Sequence, residues 1–166
     1  QALKGIHGNQ NTLRAAGEAR VERGKGFLTS LVAGLFGFPK AAEKIPVSVS
    51  FKSDKNVELW QRTFGKKSFS STQTLGSTTG LISERFGPFA FDLGLVFKNE
   101  ILSFVVRDWF FLDLRMPRFL MPGGNSYEFS ESGQFHFNIE IAQPLIGLIV
   151  RYSGWLVPVR SPYMDS

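Results

Sequence analysis

Gln134-Phe135-His136-Phe137-Asn138-Ile139-Glu140-Ile141-Ala142 alternates strictly between polar and apolar side chains. Successive side chains of an extended strand point to opposite faces, so Phe135, Phe137, Ile139 and Ile141 share one wall and Gln134, His136, Asn138 and Glu140 the other. A period of two marks a strand buried on one side. The rhythm recurs at Phe89, Phe91, Leu93, Leu95 and Phe97, and at Val47, Val49 and Phe51. Turn formers punctuate the chain at Ser53-Asp54-Lys55-Asn56, Gly65-Lys66-Lys67, Gly76 to Gly80, Gly87-Pro88, Lys98-Asn99-Glu100 and Glu131-Ser132-Gly133. They delimit about ten strands between Gly17 and Val157, with a longer loop at Pro117, Pro122, Gly123 and Gly124. A flat sheet of so many strands leaves an apolar face in water, whereas curling buries it and shortens the free edges. The expected fold is α+β and mostly antiparallel β: a curved sheet forming a barrel or half-barrel with one short covering helix. A closed calycin-like barrel and a helix-grip half-barrel both fit, although no long C-terminal helix follows for the second.

The helix is the stretch Phe27 to Phe38. Leu28, Leu31, Val32, Leu35 and Phe36 recur at helical spacing, and Pro39 ends the run. About 12 residues fall short of the roughly 20 needed to cross a bilayer. The expectation is a helix whose apolar stripe covers the open side of the sheet. The competing reading is a lid or membrane-skimming helix flanked by Arg23, Lys25, Lys40 and Lys44.

Composition narrows the chemistry. The chain has 166 residues, enough for one domain, read as an irregular lead-in over 1–14, a β-rich domain over 15–158 and a tail over 159–166. Seventeen phenylalanines against three tryptophans and three tyrosines suit a dry interior, because Phe brings bulk without a hydrogen-bond demand. The net charge is +5, but the basic residues are scattered, so no nucleic-acid partner is expected. The absence of cysteine excludes disulfides, thiolate nucleophiles and cysteine-based metal sites, and no cofactor is expected. It also fits a reducing compartment, and no signal peptide opens the chain, so a cytoplasmic location is expected. His7 and His136 are the two histidines, and neither has the setting of a Ser-His-Asp site or a zinc site.

Some polar residues share a strand face with apolar neighbours. Glu84 falls with Ile82 and Phe86, Arg62 with Trp60 and Phe64, and Asp108 with Phe104, Val106 and Phe110. A carboxylate on an inward face must be paired or carry a raised pKa. Arg62 and Glu84 are the pair to inspect, either as a structural ion pair or as an acid/base with its orienter. Arg20, Arg107, Arg151 and Tyr152 are candidates for holding an anionic head group at a cavity mouth, or are rim residues whose stems cover apolar surface. The candidate ligand-binding set is Trp60, Arg62, Glu84, Phe104, Arg151 and Tyr152. Gly147 and Gly154 suit bending of the last strand.

Several segments occur in a familiar order. They are Gly17-Glu18-Ala19-Arg20-Val21-Glu22-Arg23-Gly24, Gly37-Phe38-Pro39, Trp60-Gln61-Arg62-Thr63-Phe64-Gly65, Glu84-Arg85-Phe86-Gly87-Pro88, and Pro144-Leu145-Ile146-Gly147-Leu148-Ile149-Val150-Arg151-Tyr152-Ser153-Gly154-Trp155-Leu156. From about Ala15 to Val157 the chain resembles the bacterial domain-of-unknown-function family numbered 4166. Members occur alone or joined to a dehydrogenase-like, nucleotide-binding domain, so the resemblance implies an accessory or docking role beside such an enzyme and no activity of its own. The chain itself has no glycine-rich strand-turn-helix fingerprint. The leading expectation is a binding module that holds a hydrophobic or lipid-like small molecule in an apolar cavity. The alternatives are the docking role and an enzyme built on the Glu84/Arg62 pair.

Overall fold

The computed structural model describes residues 13–159. In chain order these form β1 (Leu13–Arg23), α1 (Phe27–Leu35), β2 (Ala42–Asp54), β3 (Val57–Phe64), β4 (Lys67–Leu75), β5 (Leu81–Phe86), β6 (Phe89–Lys98), β7 (Ile101–Phe111), β8 (Leu114–Arg115), β9 (Ser126–Glu131), β10 (Gln134–Gln143) and β11 (Gly147–Pro158). A 3-10 turn lies at Arg118–Leu120. The lead-in expected over 1–14 gives way to β1 at Leu13. The rest of it, and the tail from residue 160, lie outside the described residues.

Antiparallel hairpins run from β2 through β7 and again from β9 through β11. β1 lies between β2 and β11, and β7 pairs with both β6 and β9. Ten strands therefore close into a barrel, with β8 folded back on the end of β7. Closure is the solution to the edge problem that the strand count raised, because a ring has no unpaired edge to offer another chain. Of the two architectures that fit the sequence, the closed barrel is the one the chain adopts.

Directly paired residues share a face of the sheet. The ladder pairs Phe135 with Leu156, Phe137 with Gly154, Ile139 with Tyr152 and Ile141 with Val150. All four alternating residues pack in or against the core, as their spacing requires. Phe64, Phe69, Phe137 and Tyr152 are 2–7% exposed and form an aromatic floor across the barrel. The Tyr152 ring lies 5.1 Å from Phe64, 6.2 Å from Phe69 and 6.2 Å from Phe137. Below the floor, Phe38 packs on Phe69, and Phe36 meets Phe86 and Phe89. Burying each such ring contributes roughly 1.5–3 kcal/mol.

The barrel has two distinct ends. One carries α1, the β3–β4 and β5–β6 turns, the β7–β8 turn and the β10–β11 turn. The other carries the β2–β3, β4–β5, β6–β7 and β9–β10 turns with the outer ends of β1 and β11. β1 and β11 cross very closely. A Cβ added to Gly154 would stand 2.1 Å from the Glu18 carbonyl oxygen, and one added to Gly17 would stand 1.9 Å from that of Trp155. Only glycine leaves room for this approach.

Two expectations are corrected here. Asp108 does not share a face with Phe104 and Val106. Asp108 pairs with Asp92 and Val106 with Leu93, so Arg107 is an extra residue in the ladder. Such a bulge flips the side-chain alternation beyond it. Asp108 thereby stands outside, bound to Arg115 and Arg118. The second correction concerns α1, which covers the barrel end with only part of its expected stripe: Val32 and Phe36 pack against the core, while the leucines turn away. Its buried residues are Thr29 and Ala33, whereas Phe27, Leu28, Leu31 and Leu35 are 80%, 55%, 58% and 76% exposed. Thr29 and Ala33 are four apart, a short row of small side chains that lets the helix lie close to Gly24 and β11. Phe36, the last residue of the expected stripe, and Phe38 beyond it fill the barrel end just past the helix.

Candidate functional site

Arg62 enters the barrel from β3, because Trp60 and Phe64 on either side of it face the same way. Its guanidinium carbon lies 5.4 Å from the Trp60 ring centre and 5.8 Å from that of Phe69, a cation held between two aromatic rings. Nη1 donates to Ser71 Oγ at 2.8 Å, and Nη2 donates to Glu84 Oε1 at 3.1 Å. Ser71 Oγ in turn donates to Glu84 Oε1 at 2.6 Å. The three residues sit on adjacent strands β3, β4 and β5, and the Arg62 and Glu84 side chains are 16% and 12% exposed. The register explains the meeting: Trp60 pairs with Ser71, and Gln73 pairs with Glu84, which puts all of them on the inner wall.

Glu128 faces this cluster from β9, the fifth strand from β3 in either direction round the ring. It pairs with Phe137, an inward residue, and with Leu102 on β7. Burial pushes its carboxyl up to about 7; Arg62 pulls it down and the Glu84 charge adds to the rise. The Tyr152 hydroxyl is pushed up to about 12, first by burial, with Arg62 opposing and both carboxylates reinforcing. Burial also works against the Arg62 charge, but attraction from Glu84, Tyr152 and Glu128 outweighs it and raises the guanidinium pKa. Arg62 therefore stays charged, and Glu128 changes charge near neutrality.

Of the six candidates, Trp60, Arg62, Glu84, Phe104 and Tyr152 face the interior. Arg151 does not. Strand alternation puts it outside, between Val150 and Tyr152, which point in. There it donates to Glu140 at 2.8 Å and to Glu22 at 2.8 Å. Arg20 is also outside, paired with Glu22 and Glu43. The Arg107 side chain lies against Gly94 on the outer face. The head-group set of four thus reduces to Tyr152. Sequence reasoning missed Glu128, whose aromatic neighbours Tyr127 and Phe129 draw attention to the opposite face. Phe129 stacks instead on His136 on the outer wall, ring centres 4.8 Å apart. His7 lies outside the described residues.

Ser71 accepts from Arg62, donates to Glu84 and is 3% exposed, which leaves its oxygen poorly placed to attack a substrate. Among the described residues, no group of three or more His, Asp or Glu is arranged to hold a metal ion. Two surface clefts, of about 320 and 290 Å³, lie beside α1 and beside the β6–β7 turn, and neither is lined by Arg62, Glu84 or Glu128. The inner arrangement is suited to recognising polar groups in an apolar setting: a guanidinium paired with the Glu84 carboxylate, and across from them a carboxyl of adjustable charge. No curated protein matches the chain. Residues 1–156 match the family described as Domain of unknown function (DUF4166), and the chain belongs to that family.

Proposed function

We propose that the barrel is a binding module for a small, mainly apolar molecule. The molecule rests on the aromatic floor and is oriented by the polar layer of Arg62, Ser71, Glu84 and Glu128. Sites of this kind are apolar walls with a few convergent polar groups. A ten-stranded ring is wider than the eight-stranded one whose interior side chains just fill. In keeping with that, Trp60, Phe91, Phe104 and Phe135 face inward yet are only partly buried.

The observation that carries this reading is the position of Glu128. Arg62 already holds Ser71 and Glu84, and no hydrogen bond among the described residues engages the Glu128 carboxyl. Glu128 is only partly buried, and among the described residues no fully buried side-chain polar atom lacks a partner, so its carboxyl oxygens stay reachable from the barrel interior and free to meet a ligand. With one guanidinium against three inward carboxyls, Glu58, Glu84 and Glu128, the interior favours a hydroxyl or amine head over a carboxylate. The head group is thus of a different kind from the anion expected at the sequence level.

The test is thermal denaturation of the full chain with long-chain alcohols, amines and fatty acids, alongside native mass spectrometry of freshly purified protein. A ligand at 100 times its Kd adds about 2.7 kcal/mol of stability. Alcohols or amines should stabilise most and fatty acids least, and Glu128→Gln should weaken the amine response. No shift across the panel and no co-purifying molecule would remove the binding reading. A preference for carboxylates would remove the assignment of the head group.

A further inference from the structure

The helix-bearing end of the barrel combines two features. The first is apolar exposure. Besides Phe27, Leu28, Leu31 and Leu35 on α1, the turns at this end expose Leu112 and Leu145, at 64% and 74%. A cleft of about 320 Å³, lined in part by Leu35, Phe36, Phe69, Phe86 and Phe89, continues that apolar surface beside the helix. The second is charge. Lys25, Lys40, Lys66 and Lys67 are all exposed at this end. Among the described residues none of the four is in an ion pair, whereas the nearby carboxylates are: Asp113 with Arg85, Glu43 with Arg20, and Asp108 with Arg115 and Arg118. Arg23 and Lys44, which also flank the helix in sequence, are occupied. Arg23 donates to the Phe38 and Pro39 carbonyls, and Lys44 pairs with Glu18.

The opposite end also exposes apolar residues, Leu75 and Phe97 at 81% and 72%, but there Asp54, Glu58, Glu100 and Glu131 accompany Lys52, Lys55 and Lys98. Among the described residues Lys52, Lys55 and Lys98 are in no ion pair either, but the carboxylates around them balance their charge, so the excess of positive charge lies at the end where the helix faces outward. No helix among the described residues is long and apolar enough to cross a membrane. A nine-residue helix with leucines outward and lysines around it has the chemistry of an interfacial anchor, whose apolar face enters the acyl boundary while its bases meet lipid phosphates.

We propose that this end of the barrel docks on the surface of an anionic lipid bilayer through Phe27, Leu28, Leu31 and Leu35, ringed by Lys25, Lys40, Lys66 and Lys67. The contact is reversible, because a single short helix and a few lysines give modest affinity. It is independent of what the interior holds.

Co-sedimentation of the full chain with vesicles tests it. Vesicles of equal parts phosphatidylglycerol and phosphatidylcholine should bind the protein, and pure phosphatidylcholine vesicles should bind it at least tenfold more weakly. Raising salt from 50 to 300 mM should release most of it. Leu31→Glu/Leu35→Glu and, separately, Lys25→Glu/Lys40→Glu should each lower binding at least tenfold. All four positions are exposed, so the variants should keep the parent's circular dichroism and melting temperature. Equal binding to neutral vesicles, or binding indifferent to both variants, would overturn the proposal. So would a concentration-dependent dimer in sedimentation velocity that Leu31→Glu/Leu35→Glu breaks while vesicles bind nothing; that result would give the face to a second copy of the chain.

Discussion

Replacing Arg62 by Met keeps most of the side-chain stem between Trp60 and Phe69 and deletes the charge. Glu84, 12% exposed, then keeps Ser71 as its hydrogen-bond donor and loses its cation. Breaking a buried ion pair by removing one partner costs about 3–5 kcal/mol, chiefly because the remaining charge is left uncompensated. Both side chains are well below a third exposed, so solvent relieves little of that cost. For a domain of this size the loss corresponds to a melting temperature lower by roughly 6–20 °C. The double variant Arg62→Met/Glu84→Gln removes both charges while leaving an acceptor for Ser71. It should recover more than half of the loss, since an ion pair and a neutral replacement of similar volume are often close in stability. Urea denaturation at pH 7.5, followed by far-ultraviolet circular dichroism, measures all three proteins. A single variant within about 1 kcal/mol of the parent, or a double variant no more stable than the single, would refute the account of Arg62 as the neutraliser of a buried carboxylate.

Further outcomes follow from the same interior. The Glu128 carboxyl titrates near 4.5 in an unfolded chain and about 7 in the barrel, so the folded state binds the extra proton. Stability is then highest below the lower value and falls as pH rises through that window, by roughly 3 kcal/mol at most. Glu128→Gln should abolish most of that fall and be the more stable protein at pH 8, which urea midpoints from pH 4 to 9 would show. Tyr152, pushed up to about 12, should not ionise with ordinary tyrosines. Absorbance at 295 nm should therefore show a missing tyrosine at pH 11, and Tyr152→Phe should leave that titration unchanged. Gly154→Ala brings a Cβ to 2.1 Å from the Glu18 carbonyl oxygen and 2.8 Å from Ala19 Cα, backbone that cannot move aside as a flexible side chain would, and should cost about 3 kcal/mol or more. Gly34→Ala, with nothing within 4 Å and a helical backbone, should gain about 0.5–1 kcal/mol, so the two glycine variants should move the denaturation midpoint in opposite directions.

The walls of the barrel were legible because a strand writes its burial into every second residue. Val47, Val49, Phe135, Phe137, Ile139 and Ile141 all pack where their alternation puts them. Arg62 and Glu84 could be paired for the same reason. Asp108 could not be placed, because one inserted residue at Arg107 reverses the alternation and nothing in a single sequence marks it. Glu128 was within reach. The two-residue turn Ser132-Gly133 sets Glu131 against Gln134, which forces Glu128 opposite Phe137 and therefore inward. Counting back from the turn outweighs the hydrophobicity of Tyr127 and Phe129. The helix was visible but its orientation was not. Periodicity tells which residues share a side, whereas the side that meets the barrel is the one where Thr29 and Ala33 are small enough for close approach, with Phe36 and Phe38 filling the end beyond.

The first and last strands of the barrel are neighbours, joined by nine register pairs from Ala15–Pro158 to Arg23–Val150. Most other ladders link strands adjacent in the chain and can zip as soon as they leave the ribosome. This one joins segments separated by almost the full length of the domain. During synthesis β1 must wait beside β2 with an open flank until the final strand emerges. Shielding that flank from premature partners is then a task for chaperones or for rapid translation of the closing segment.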